Sequence, residues 1–477
     1  MLVIESPKPA ATRAPLAQAE APSSLFARRK CALLILVPLA YLIFMVAKYS
    51  VDVPFGDQWE FVPVLQKTYQ GNLSFPDLWA QHNEHRIFFA RLIMLGLARL
   101  THWSIRCELA LNVLLAMVLF TILVWQIKRT ARALGARELE WALPLTSLIV
   151  FSMSQFDNWL WGWQIQMVLS VLAALAAIVL LANGACDPKK FIGAAALGFV
   201  ATHSFASGIA IWPIGLLLIV TDPSLRAARV KCAAIWSLLS AAAIASYVIG
   251  YQKPAKHPAM NVAFTKPLEY LSYVLKYLGS FCAQYGNAAV LPDSTLAIVF
   301  GLGALAILAW TTSSLIWGDK LQGEALRPYL AFCIFSILSA LLTGIGRAGF
   351  GSDQAMESRY CTMTVPLWCS LMVFLILLAR PKAFPRRPAR LARWTLAIVT
   401  AFLVLSSALA IKQAQGVCEA RSDGRAYLLK LAAHPGMKPE FGELFHIYPG
   451  KNPFLVMDRY QFLLEEKLSL FRETPNP

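Results

Sequence analysis

Charge is scarce in this chain of 477 residues: Asp, Glu, Lys and Arg together make 15% of it, against 57% hydrophobic residues. That is too little polar surface for a water-soluble globular fold. Paired cysteines are missing as well. The nine cysteines include no CxxC, and most sit inside apolar runs, which excludes a zinc cluster or a disulfide framework; they read as small buried hydrophobes. Acids are few beside 43 Lys and Arg, and the net charge is +16. The basic residues, however, fall in short clusters between apolar runs, which is the positive-inside pattern of a membrane protein and argues against a nucleic-acid partner.

What the chain has instead is a series of apolar runs, many of them about twenty residues long, which predicts an all-α polytopic membrane protein. Residues 1–27, rich in Ala and Pro without an apolar period, are expected to be a disordered cytoplasmic tail. Arg28, Arg29 and Lys30 precede the first run, 31–49, and place the N-terminus inside. That run lacks a small-x-small cleavage site, so it reads as an uncleaved anchor. Residues 51–104 then form an outer loop whose later part, 87–100, carries Arg91 and Arg99 and suits a helix lying on the membrane surface. Spans are expected at 105–127, 139–155 and 164–183, then a tight hairpin over 191–221 broken at HSFASG, then 232–251. A second outer stretch, 252–293, is too interrupted by charge to span. Further spans follow at 294–317, 328–346, 361–379 and 394–412, giving about eleven in all. The transmembrane domain is thus 28–412. The loop 380–393 carries six basic residues and no acid, which pins it inside and leaves 413–477 as a small periplasmic tail with a short helix near 458–471. The expected setting is a bacterial inner membrane.

Four unusually polar stretches fall on the same outer face: FGDQWEF (55–61), HNEHR (82–86), FDNWLWGW (156–163) and GRAGFGSDQAMESRY (346–360). Acids are costly in hydrocarbon, so acids gathered with arginines and tryptophans at one face point to a shared water-filled cavity. A transporter would more often place such groups at the midplane. Asp57 and Glu60 lie three apart on one helical face. Beside Phe55 and Trp59 the Asp57 carboxylate is partly desolvated, which suits a general base; equally, Asp57 caps the helix after the Gly56 turn. In HNEHR, the residues His82, Glu84 and His85 offer donors to a divalent metal, although their spacing matches no established motif. Alternatively His85 and Arg86 grip a phosphate, or Arg86 snorkels from the surface helix. Arg347 and Arg359, with Tyr360, run against the positive-inside bias; a phosphate or diphosphate would explain them, as would pairing with Asp353 or Glu357. The glycines of that stretch are no nucleotide fingerprint, because no strand precedes them. Trp59, Trp161 and their neighbours offer flat faces for a sugar or belong to the interfacial aromatic belt, and Asp157 and Asn158 offer partners to hydroxyls.

The order of a first span, a long outer loop with an early acid and a late surface helix, and then many spans resembles the GT-C superfamily of polyprenyl-phosphate-dependent membrane glycosyltransferases, over about residues 30–412. FGDQWEF, HNEHR, NWLWGWQIQ and SRY are also similar to stretches of uncharacterised bacterial membrane proteins related to that superfamily. The resemblance implies an inverting transfer of a sugar from a lipid-phosphate carrier to a glycan or lipid acceptor on the outer face. It implies Asp57 as the base, Glu60 or Glu84 as its partner, and Arg86, Arg347 and Arg359 on the donor phosphate. The first loop lacks the DxD or paired acidic motif of the better-known members, which leaves a divalent metal as an open possibility. Two rivals stay open. One is a lipid-linked glycan transporter or polymerase-like protein, gripping a diphosphate with the same arginines and needing no base at Asp57. The other is a non-catalytic membrane partner that docks through its tail and tryptophan loops.

Overall fold

A computed structural model describes residues 25–255, 257–285, 293–316, 320–380, 386–449 and 452–473. Residues 1–24, the greater part of the expected tail, lie outside the described residues. The described chain is helical apart from one short hairpin, β1 (Gln81–His82) and β2 (His85–Arg86). Eight helices are long and apolar enough to cross a membrane. They are α1 (Leu25–Tyr49), α2 (Ile105–Ala133), α3 (Ile165–Ala182), α4 (Arg229–Val248), α5 (Asp293–Ile316), α6 (Lys320–Arg347), α7 (Cys361–Leu378) and α8 (Arg386–Ala433). This is an all-α multi-pass membrane protein. Every residue of α7 is buried, as its lack of any polar stripe requires, and it packs against α3, α5, α6 and α8. By contrast α1 turns Leu33, Leu34, Leu36 and Val37 outward.

Three of the expected spans are short helices. In the run 139–155 the α-helix is the nine-residue Ala142–Val150, with 3-10 turns at Arg137–Trp141 and Met153–Gln155 on either side. Gln155 ends it by donating its side-chain amide to the carbonyls of Ile149 (3.3 Å) and Val150 (2.8 Å), groups that would otherwise call for a further turn. The hairpin over 191–221 is present with its broken tip, as helices Pro188–Thr202 and Ile211–Val220. At about 1.5 Å per residue neither arm matches a hydrocarbon core of roughly 30 Å.

The boundary expected at 412 falls inside α8, a single helix of 48 residues. Its Val399, Leu403, Ala410 and Ala414 belong to the core of the bundle. Its Tyr427, Leu428 and Leu431 belong to a second core, which joins Val53, Phe61 and Leu65 of the first loop to Leu444, Val456 and Phe471 of the tail. Polar clamps tie the same two segments together. Arg472 pairs with Asp52, Arg459 donates to the Trp59 carbonyl, and the Ser469 N–H donates to the His102 carbonyl at 2.9 Å. The tail is therefore built into the first loop. The helix expected near 458–471 lies at Phe454–Glu465. The surface helix of the loop spans Phe88–Thr101, with Ala90, Met94 and Ala98 inward and Leu92 and Leu100 exposed.

Candidate functional site

A cavity of about 440 Å³ opens at one end of the bundle, and all four polar stretches reach it: Asp57 from the first, His82 and His85 from the second, Asp157 and Trp161 from the third, Arg347, Arg359 and Tyr360 from the fourth. The tail contributes Pro449.

Asp57 sits on a turn held from three sides. Gly56 has φ +54°, where glycine is unstrained, and a Cβ there would come within 3.0 Å of the Trp161 ring. The Phe55 N–H donates to Gln58 Oε1 (3.0 Å), the Gly56 N–H donates to the Ile447 carbonyl of the tail (2.8 Å), and Trp161 Nε1 donates to the Phe55 carbonyl (2.9 Å). Behind the turn, Gln58 Nε2 donates to the buried Glu108 of α2 at 2.6 Å. Glu108 fits there because position 162 is glycine; a Cβ would fall 2.1 Å from its Oε2. Asp57 makes no side-chain cap bond to the helix Gln58–Tyr69 that follows it. Its Oδ2 lies instead 3.3 Å from His82 Nε2.

HNEHR is the β1–β2 hairpin, with Asn83 at φ 49°, a conformation asparagine tolerates. Gln81 pairs with Arg86, and His82 pairs with His85. Opposed residues share a face and successive ones alternate, so the hairpin that turns both histidines to the cavity turns Arg86 away. Arg86 does not line the cavity. Its guanidinium donates to the carbonyls of Tyr247 (2.7 Å), Trp79 (2.9 Å) and Ile249, a structural clamp in place of the expected phosphate contact. Glu84, at the tip, also stands behind the cavity wall. Its Oε1 accepts from Arg347 Nε (2.6 Å) and Nη2, and lies 3.5 Å from His85 Nε2; its Oε2 lies 3.3 Å from His257 Nδ1. Burial alone would raise the Glu84 carboxyl, but the positive charges of His85 and Arg347 and the Arg347 hydrogen bond bring it down to about 2. Burial pushes His85 down to about 4 against the pull of Glu84. At neutral pH the imidazole is therefore neutral, and Arg347 supplies the positive charge beside Glu84. His85 Nδ1 accepts from the Ala206 N–H (3.3 Å), which leaves the ring proton on Nε2, toward Glu84.

The metal set expected in HNEHR does not assemble, because His82 faces away from Glu84. Among the described residues the group that could hold a cation is Asp57, Glu60 and His82, with donor atoms within 4.8 Å of one another. His82 presents Nε2 to Asp57 and Nδ1 to Glu60 (3.7 Å). An imidazole with a different acid at each nitrogen bridges two carboxylates; three ligands converging on one ion would share one point.

The remaining expected residues divide. Arg359 pairs with Glu357 and lies over the Trp161 ring at 5.8 Å. Tyr360 accepts from the Gln354 amide at 2.8 Å and stacks on Tyr277. Glu60 lies behind His82, where its Oε1 accepts from Tyr448 at 3.1 Å. Trp59 is fully buried in the loop–tail core. Asn158 is fully buried too and donates to the Arg359 carbonyl (2.9 Å) and Thr362 Oγ1 (2.6 Å), so it positions Arg359 from outside the cavity. Trp163 of the tryptophan-rich tip lines the cavity too, together with Gln164, Gln166 and His257, for which the sequence suggested no role. Sequence reasoning also missed Arg421 of α8, whose guanidinium lies 4.0 Å over the Phe55 ring. The signal for the glutamines was present: two amides at the start of an otherwise apolar span.

An apolar groove of about 400 Å³, lined by Tyr247, Val248, Met260, Leu342 and Ile345, runs beside the cavity and shares His257 with it. Fold and site together define a multi-pass helical membrane protein with a polar cavity at one end of the bundle and an apolar groove next to it. Compared with family models, with curated proteins and with solved structures, the chain finds no match in any of the three.

Proposed function

We propose that the chain is a membrane glycosyltransferase of GT-C type, moving a sugar from a polyprenyl-phosphate donor to a glycan or lipid acceptor on the periplasmic face of a bacterial inner membrane. In this reading the N-terminus is cytoplasmic and the tail periplasmic. The observation that carries it is a cavity that brings Asp57 and Asp157 together with Arg347 and Arg359, next to an apolar groove. Carboxylates suit the acceptor and guanidinium groups suit the leaving phosphate; the groove suits an isoprenoid chain. Asp57 takes the proton of the acceptor hydroxyl, whose oxygen bonds to the anomeric carbon as the bond from that carbon to the phosphate oxygen breaks, with inversion. Arg347, aimed by Glu84, and Arg359 stabilise the charge that develops on the phosphate. His257, at the junction of groove and cavity, stands where the phosphate would enter. The three anchors of the Phe55–Asp57 turn fix the base before substrate arrives.

Mass spectrometry of lipid-linked sugars and surface glycans from cells with wild type, Asp57→Asn or no copy tests this. Removing the base should slow transfer on the order of 10²–10⁴-fold. Asp57→Asn should then match the deletion, with one sugar lost from a glycan and its lipid-linked donor accumulating. A variant that behaves as wild type while the deletion strips whole glycans would replace transfer with lipid-linked glycan transport.

A further inference from the structure

We propose that a second polar cavity, at the end of the bundle opposite Asp57, binds the headgroup of a zwitterionic phospholipid, its phosphate on Arg129 and Arg327 and its primary ammonium on Asp222 and Glu324. The cavity measures about 430 Å³, and those four residues line it together with Gln126, Thr130 and Asn183. Helix α3 fixes its place, because Gln166 lines the first cavity and Ala182 lines the second. Sixteen residues of helix at about 1.5 Å each set the two roughly 24 Å apart, close to the roughly 30 Å of a hydrocarbon core.

The surroundings put the second cavity at headgroup level. Trp125 of α2 is 49% exposed, and Leu217 and Val220 of the helix Ile211–Val220 also face outward. Arg129 lies one turn beyond Trp125 on the same face, with its guanidinium 5.7 Å from that ring. Asp222 follows Val220 by two residues. On both segments an outward apolar side chain thus gives way to a charged one, and a tryptophan at that step belongs to the boundary between lipid tails and water.

The floor of the cavity is complete in itself. Gln126 and Thr130 are each 1% exposed. Gln126 donates to Thr130 Oγ1 (3.1 Å) and accepts from Asn183 (2.8 Å), while Thr130 donates to the Ala325 carbonyl (3.3 Å) and accepts from Tyr329 (3.2 Å). Asn183 in turn accepts from Arg129 Nε at 2.6 Å, which aims the guanidinium. The charged groups above this floor are not used up. Among the described residues Arg129 makes that one hydrogen bond and the Glu324 carboxylate makes none; both side chains are exposed. Arg327 Nη1 and Asp222 Oδ2 stand 3.8 Å apart, too far for a hydrogen bond.

Charge selects the ligand. Two carboxylates repel a free anion and two guanidinium groups repel a free cation, so a molecule with one charge of each sign fits both pairs. Carboxylates call for N–H donors, which a primary ammonium has and a quaternary one lacks. An ethanolamine phospholipid carries both groups in one headgroup, and its acyl chains would run along Trp125, Leu217 and Val220.

The delipidated full chain in detergent tests the site, titrated with phosphatidylethanolamine, phosphatidylcholine and phosphatidylglycerol of identical acyl chains and read by native mass spectrometry. Wild type should hold phosphatidylethanolamine about fivefold more tightly than either other lipid, the upper worth of one exposed ion pair. Glu324→Gln, which breaks no bond within the fold, should erase the preference over phosphatidylglycerol. Arg129→Gln should weaken phosphatidylethanolamine by about the same factor. Water-soluble glycerophosphoethanolamine should compete poorly; if it displaces the lipid at equal concentration, the ligand is a soluble zwitterion and the lipid assignment ends. A wild type that prefers phosphatidylglycerol, or affinities that neither substitution changes, would overturn the site. It needs no glycosyl transfer, so Asp57→Asn cells with wild-type glycans would leave it standing.

Discussion

Arg86 and Arg347 stand on either side of the same hairpin tip, both hold buried partners, and both suit a phosphate by sequence. Arg86 spends its donors on three main-chain carbonyls from two separate segments. Arg347 spends them on one carboxylate, Glu84. A carbonyl neither titrates nor leaves, so an arginine saturated by carbonyls is cement. A carboxylate holds the guanidinium by charge-assisted bonds, here Nε and Nη2 both on Glu84 Oε1, and leaves it at the cavity wall. What an arginine already touches thus separates scaffold from candidate chemistry better than where it falls in the sequence.

That contrast can be broken at its functional side first. Arg359→Gln, at the other carboxylate-paired arginine of the cavity, should lower turnover by about 10²–10³-fold if the proposed transfer holds, read as the rate at which lipid-linked donor disappears in membranes, with the thermal midpoint little moved. An equal loss of stability and activity would return Arg359 to the scaffold. On the structural side, Arg86→Met orphans three carbonyls and should cost about 3 kcal/mol of stability, read as a lowered midpoint and poor yield. A stable, inactive Arg86→Met protein would overturn the division. The smallest effect is acid sensitivity confined to the Arg347 side. His85 holds its proton less well folded (about 4) than its ordinary 6.5. As pH falls from 6.5 toward 4, the unfolded chain takes up a proton that the folded chain refuses, so stability drops, by at most roughly 3 kcal/mol. His85→Gln should flatten that part of the profile, and Glu84 adds its own loss only as pH falls from about 4.5 toward 2. A wild-type midpoint flat between pH 6.5 and 4 would contradict it.

Much of the architecture was legible because period and charge are local signals. The eight long helices begin or end near basic clusters and polar stretches that the sequence displays, and even the break in the 191–221 hairpin follows from HSFASG. The run 139–155 misled because Gln155 folds back on Ile149 and Val150, and an apolar count cannot see a side chain ending a helix. In the site, the stretches were legible and the orientations were not. Whether His85 or Arg86 faces the cavity depends on one strand register. Arg421 was invisible for a different reason, since its nearest partners, Leu160 and Phe55, lie far away in sequence.

The pairing of Asp52 with Arg472 joins positions 420 residues apart. During synthesis, then, the first loop emerges early with only half of its apolar core, and Val53, Phe61 and Leu65 wait for partners that are made last. Contacts so distant form late and slowly, and until they form the loop is an open apolar surface at risk of sticking elsewhere. A premature stop just after α8 would be felt at the opposite end of the chain, in residues 51–104, where the turn that carries Asp57 would have lost its Ile447 anchor.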